Sequence, residues 1–139
     1  MRPAVKSGAR ATSVPVWAAA IVVSNHGGRQ LDDAPATADI LPEIVDAVAG
    51  RVEVYVDGGL RRAPDVAKAL ALGARAVMVG RPSLWALAAG GAEGVASLLR
   101  WYESELRRTM ALCGTATVEA IDRSLVRRAT RSSTMDGVP

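Results

Sequence analysis

Residues 24–32 read Ser24-Asn25-His26-Gly27-Gly28-Arg29-Gln30-Leu31-Asp32, and the chain's only histidine stands three residues before Arg29. The apolar residues Ile21, Val22 and Val23 run straight into this stretch. An imidazole can take a proton near neutral pH. A guanidinium can hold a carboxylate through two parallel hydrogen bonds. The two glycines let the backbone turn sharply and approach a ligand closely. Together they describe a pocket that deprotonates a small organic acid while gripping its carboxylate. A bare His-x-x-Arg also occurs in ordinary solvated loops, so the reading depends on the rest of the chain. A second constellation supplies that context. Asp57-Gly58-Gly59-Leu60-Arg61-Arg62 and then Gly80-Arg81 are glycine turns with guanidinium groups beside them. Such turns expose backbone N–H groups that can cradle a phosphate. The same residues also suit plain turns with surface arginines.

The elements that must position these groups alternate along the chain. Ala18–Val23 is continuous in apolar residues, as buried parallel strands are. Asp39–Val48 places Ile40, Leu41, Ile44, Val45 and Val48 at helical spacing, with Thr37 or Asp39 as candidate caps and Gly50 as the stop. Val52–Val56 reads as a second strand, Pro64–Leu72 as a second helix ended by Gly73, and Ala76–Val79 as a third strand. A helical tail follows: Ser83–Ala89, an interruption at Gly90-Gly91, then Ala92–Leu112 with Val95, Leu98, Leu99, Tyr102 and Leu106 on one stripe. Val118–Leu125 reads as one more short helix. The alternation is βαβ logic, so an α/β fold with parallel strands is expected. Each chemical run falls just after the C-terminal end of a strand, the rim where such folds build their sites.

Composition narrows the function classes. At 139 residues and 50% hydrophobic content, the chain suits one globular domain with a modest core. Net charge is +3, the arginines are dispersed and phenylalanine is absent, which argues against a nucleic-acid partner. No cluster with metal-ligand spacing stands out. Cys113 is alone, so an internal disulfide is ruled out and a reducing, cytoplasmic setting is expected. Its helical context reads as a small buried thiol. Arg2, Lys6 and Arg10 precede the apolar run Val14–Val23, a pattern superficially like a signal peptide. The run is short for a membrane span and leads directly into Ser24 without a cleavage site. Three segments are therefore expected: irregular residues 1–17, a domain over 18–126, and a polar, frayed tail over 127–139.

These residues resemble a known family. Ser24–Asp32 is similar to the signature of the FMN-dependent 2-hydroxy-acid oxidases and dehydrogenases, among them glycolate oxidase, lactate oxidase, mandelate dehydrogenase and flavocytochrome b2. Val56–Arg62 and Ala71–Pro82 resemble its two downstream flavin-binding segments, and Glu105–Gly114 its closing helix. The resemblance covers roughly residues 20–126. It implies the C-terminal part of a TIM (β/α)8 barrel, about three βα units plus a long helix. It implies His26 as the active-site base and a substrate contact, Arg29 as the clamp on the substrate carboxylate, and Ser24 as a flavin contact. Asp57, Gly58, Gly59, Arg61, Gly80 and Arg81 would hold the ribityl phosphate of FMN. The implied reaction takes an L-2-hydroxy acid to its 2-oxo acid.

A complete barrel needs on the order of 250 residues. The family's upstream tyrosines, the aspartate that orients its histidine and its flavin-contacting lysine have no counterpart here, and residues 1–17 match none of its motifs. Three strands on their own leave two unpaired edges and an uncovered apolar face, which invite association between copies. The expectation is a phosphate half-site that persists without full turnover. The alternative is a non-catalytic remnant that at most binds FMN or phosphate. Another phosphate-binding barrel, similar to inosine-monophosphate dehydrogenase, would share the glycine turns but leave Ser24–Asp32 unexplained.

Overall fold

In the computed structural model, which describes residues 18–128, strand and helix alternate throughout. β1 is Ala20–Val23, α1 Thr37–Val48, β2 Glu53–Val56, α2 Ala63–Ala71, β3 Ala76–Val77 and α3 Arg81–Leu112. Single 3-10 turns occupy His26–Gly28, Val118–Ala120 and Arg123–Leu125. The strands are parallel in the order β1-β2-β3, with Val23 beside Val56 and Val56 beside Val77. Two crossovers of this kind bring all three C-terminal strand ends to one rim. The expected α/β alternation is therefore present, with each element displaced by a residue or two.

Strand periodicity decides where the core lies. Val23, Val54 and Val56 point to one face and are buried, and Leu41, Val48, Ala69 and Ala74 close over them from the helices and the α2–β3 connection. Val22 points to the other face and is 47% exposed. The continuous apolar run had suggested a strand buried on both sides; among the described residues only one side is covered. Leu41 is 0% exposed at the centre of the core. Leu41→Ala should cost about 2–5 kcal/mol, from the lost burial of its side chain and the cavity left behind. A urea melt would show the midpoint falling with an unchanged slope.

Other expectations need correcting. α1 has Ala36 as its cap residue, with no side-chain cap, and the left-handed turn that ends it begins at Ala49 (φ 50°), before Gly50. The helix expected over Val118–Leu125 is instead two 3-10 turns, parted where Ile121 and Asp122 are extended. Ile121 buries its side chain there, and the Asp122 carboxylate accepts from the Ser124 N–H at 2.8 Å. So short a segment gains more from that burial and cap than from one more helical turn. Cys113 is exposed rather than buried. It caps the end of α3, whose last residue, Leu112, is 83% exposed, so this turn projects beyond the packed part of the fold.

α3 runs from Arg81, two residues before the expected start, and breaks where the glycines predicted, at Gly90 and Gly91. Beyond the break, Val95, Leu98, Tyr102 and Leu106 form its more buried stripe, whereas Leu99 stays exposed. Residues 1–17 and most of the 127–139 tail lie outside the described residues. Arg127 and Arg128 take no regular structure, and the Arg128 guanidinium lies 3.6 Å from Asp39.

Candidate active site at the strand rim

Each strand delivers one part of the site. β1 leads into the 3-10 turn His26–Gly28, and His26 itself has φ 53°, a left-handed conformation uncommon for a residue with a side chain. The His26 N–H donates to Ser24 Oγ at 3.1 Å, and Gly28 N–H to the Asn25 carbonyl at 2.9 Å. Strain of this kind persists where the surrounding contacts over-determine it, often at ligand sites. β2 leads into Asp57-Gly58-Gly59, both glycines at positive φ. β3 leads to Gly80, the cap residue of α3, with Arg81 in the first turn.

The three turns line one open cleft of about 260 Å³. His26 and Arg29 lie on its wall together with Asp57, Gly58, Gly59, Arg61, Gly80 and Arg81. Of the residues singled out in the sequence, Ser24 alone stands outside the lining; it acts on the site through the hydrogen bond from His26. Met78, Leu84 and Trp85 supply an apolar border. A second cavity of about 350 Å³ opens between α1 and α2 and shares Gly27, Gly58, Gly59, Leu60 and Arg81 with the first.

Electrostatics favour an anion. Arg29, Arg61 and Arg81 form no ion pair among the described residues, and Asp57 is the one carboxylate on the cleft wall. Arg81 reaches across the rim, its guanidinium donating to the Gly27 carbonyl at 3.0 Å, so it ties the His26 turn to the turn after β3. The N-terminus of α3 adds its partial positive charge at the same place. Asp57 Oδ1 is buried without a hydrogen-bond partner among the described residues. A buried acceptor facing no donor is costly, and a ligand hydroxyl would satisfy it. A Cβ built on Gly59 or Gly80 would meet nothing within 4 Å, so open space lies beside their backbone. An orphan carboxylate oxygen, free guanidinium groups and open glycine backbone complement a hydroxylated chain that ends in a phosphate, as FMN has.

Sequence reasoning missed two residues that build this rim. Thr37, expected as a helix cap, is buried, and its hydroxyl donates to the Asp57 carbonyl at 2.6 Å, with the Gly58 carbonyl at 3.4 Å. Asn25 donates through Nδ2 to the Pro35 carbonyl at 3.2 Å and packs its Oδ1 against Gly58. Their contacts span ten or more residues, so no local pattern reveals them. The single available signal for Asn25 was its place inside the motif.

Comparison with known proteins identifies relatives of this chain. A family model described as FMN-dependent dehydrogenase matches residues 9–128, starting earlier than the motif resemblance at residue 20. 2-Hydroxyacid oxidase 1 of Homo sapiens is 58% identical over 108 residues, covering 78% of this chain and 29% of the relative. L-lactate oxidase of Nostoc sp. is 54% identical over 116 residues, covering 84% of this chain and 32% of the relative. Among solved structures, mandelate oxidase with benzoyl-formic acid superposes with a TM-score of 0.74 at 56% identity, over 77% of this chain and 32% of that one. A mandelate oxidase variant holding a monooxide FMN adduct gives the same TM-score of 0.74. The chain thus spans about a third or less of the relatives it matches.

Proposed function

The chain belongs to the FMN-dependent dehydrogenase family, and from that premise we propose that it contributes the base, the carboxylate clamp and the phosphate cradle for oxidising an L-2-hydroxy acid to its 2-oxo acid. The observation that carries this reading is one cleft lined by His26, Arg29 and both glycine turns. His26 takes the proton from the C2 end of the substrate. Arg29 pairs with the carboxylate and fixes which end faces the base. Asp57 accepts from ribityl hydroxyls. The Gly58, Gly59 and Gly80 backbone, with Arg61 and Arg81, would hold the phosphate, and Ser24, just after β1, would contact the flavin. FMN, when bound, supplies the electron-accepting chemistry.

The structure of the chain is that of consecutive βα units of a (β/α)8 barrel, the fold its solved relatives share. Among the described residues no helix is long and apolar enough to cross a membrane. A cytoplasmic setting is part of the proposal, supported by the lone thiol. So is association between copies, supported by the edges of β1 and β3, unpaired among the described residues, and by exposed Val22, Met78, Leu84 and Trp85.

The test uses the purified chain with FMN, then anaerobic glycolate, lactate or mandelate. A perturbed flavin spectrum is expected on binding. Bleaching is expected to be slow, because His26 and Arg29 are open to water and electrostatic stabilisation is weaker in a wet site. His26→Asn, whose side chain tolerates positive φ, should lower any bleaching by about 10²–10⁴-fold without releasing FMN. An unperturbed spectrum would overturn the cradle, and equal bleaching in the variant would overturn the base.

A further inference from the structure

Tyr102 lies on α3, outside the cleft, yet it is tied to the cleft wall. It is 9% exposed and sits edge-on to Trp101, with ring centroids 5.2 Å apart and planes at 62°. Its hydroxyl donates to the Arg61 carbonyl at 3.0 Å, across 41 positions of sequence. A buried tyrosine hydroxyl needs a partner, and here the partner is the backbone of the turn that carries Arg61 into the cleft. Asp65 holds the same turn from within α2. Its Oδ2 accepts from the Arg61 N–H at 3.2 Å and the Arg62 N–H at 3.0 Å. Thr37 grips the start of the turn through the Asp57 carbonyl.

We propose that Tyr102 is a positioning residue for the anion cradle: its hydroxyl fixes the Arg61 peptide, so that the Gly58–Arg62 backbone and the Arg61 guanidinium stand ready before an anion arrives. This rests on the reading of the cleft as the site for the cofactor's phosphate. The physical reason is cost. A glycine-rich turn left free must lose its backbone entropy when the ligand binds, and that loss is subtracted from affinity. The Tyr102 hydroxyl, Asp65 and Thr37 pin the turn by three separate elements, so folding bears the ordering instead. Among the described residues the hydroxyl's hydrogen bond is the one to the Arg61 carbonyl, so removing the hydroxyl removes that bond and leaves the ring in place. Burial first, and the Asp65 carboxylate second, hold the phenol's pKa above the ordinary tyrosine value.

Tyr102→Phe keeps the ring and removes the bond. In the ligand-free chain, the Arg61 and Arg62 amides should exchange with solvent roughly three- to tenfold faster, as expected for one lost hydrogen bond, while the β1–β2 amides keep their protection. With ligand, FMN should bind roughly three- to tenfold more weakly, and riboflavin, which lacks the phosphate, should change by less than about twofold. Unchanged exchange at the turn overturns the proposal, and so does an equal loss for both flavins, which would mark a general structural role. If the parent chain binds no FMN, the functional reading fails, and the exchange measurement alone still decides what Tyr102 does.

Discussion

Gly94→Ala should lower the melting temperature of the chain by roughly 10–20 °C, the shift expected for about 2–3 kcal/mol in a domain of this size. A Cβ on Gly94 would stand 2.2 Å from the carbonyl oxygen of Ala86 and 3.2 Å from its carbon. Both atoms belong to backbone, so no rotamer change relieves the collision. The two halves of α3 come this close because Gly90 (φ −149°, ψ 18°) and Gly91 (φ 60°, ψ −147°) bend the helix between them. The first half carries Arg81, Pro82, Leu84 and Trp85 along the cleft, so forcing the halves apart also moves the anion site. Weaker FMN binding should therefore accompany the lost stability. Gly90→Ala is the control: nothing lies within 4 Å of its added carbon and its φ is negative, so its cost should stay within about 1 kcal/mol. Matching melts for the Gly94 variant and the parent would show that the bend does not need this contact.

Gly58→Ala should damage both the fold and the site. The position has φ +88°, and the added carbon would lie 2.8 Å from Asn25 Oδ1 and 3.2 Å from Thr37 Oγ1. Conformational strain and crowding together should cost about 2–4 kcal/mol. Relief requires Asn25 or Thr37 to move. Asn25 precedes His26, and Thr37 holds the Asp57 carbonyl, so either movement disturbs the cleft. FMN affinity should fall more than about tenfold, which corresponds to roughly 1.4 kcal/mol of lost cradle geometry. Gly59→Ala separates strain from collision. Its φ is +78°, but its added carbon meets nothing within 4 Å, so only about 1–2 kcal/mol of stability should be lost. Equal destabilisation by the two substitutions, read from urea melts, would remove the Asn25–Gly58 contact from the argument.

The parallel strands were legible because each is a short apolar run that leads into a glycine-containing turn. Ile21–Val23 before His26 and Val54–Val56 before Asp57 needed no tertiary information. The helical faces were legible for the same local reason: Leu41, Val45 and Val48 repeat at helical spacing whatever packs on them. The break in α3 was visible as adjacent glycines. The strand ends were less legible. β3 pairs only over Ala76–Val77, although Met78 and Val79 continue the apolar run, because pairing depends on where the neighbouring strand stops, at Val56.

Local chemistry therefore determined the identity of the reactive groups in this protein: an imidazole, guanidinium groups and paired glycines placed at strand ends, with the order of elements that collects them on one rim. Tertiary structure alone decided how those turns are held. Thr37 grips the Asp57 carbonyl, Arg81 crosses to Gly27, Tyr102 fixes Arg61 and Asn25 fills the space beside Gly58. It also decided that Cys113 faces solvent and that, among the described residues, one side of β1 stays open. Backbone preference and hydrophobic period act within a few residues of the chain. A hydrogen bond between Tyr102 and Arg61 exists only after the sheet has twisted and α3 has packed on α2, so no stretch of sequence encodes it by itself.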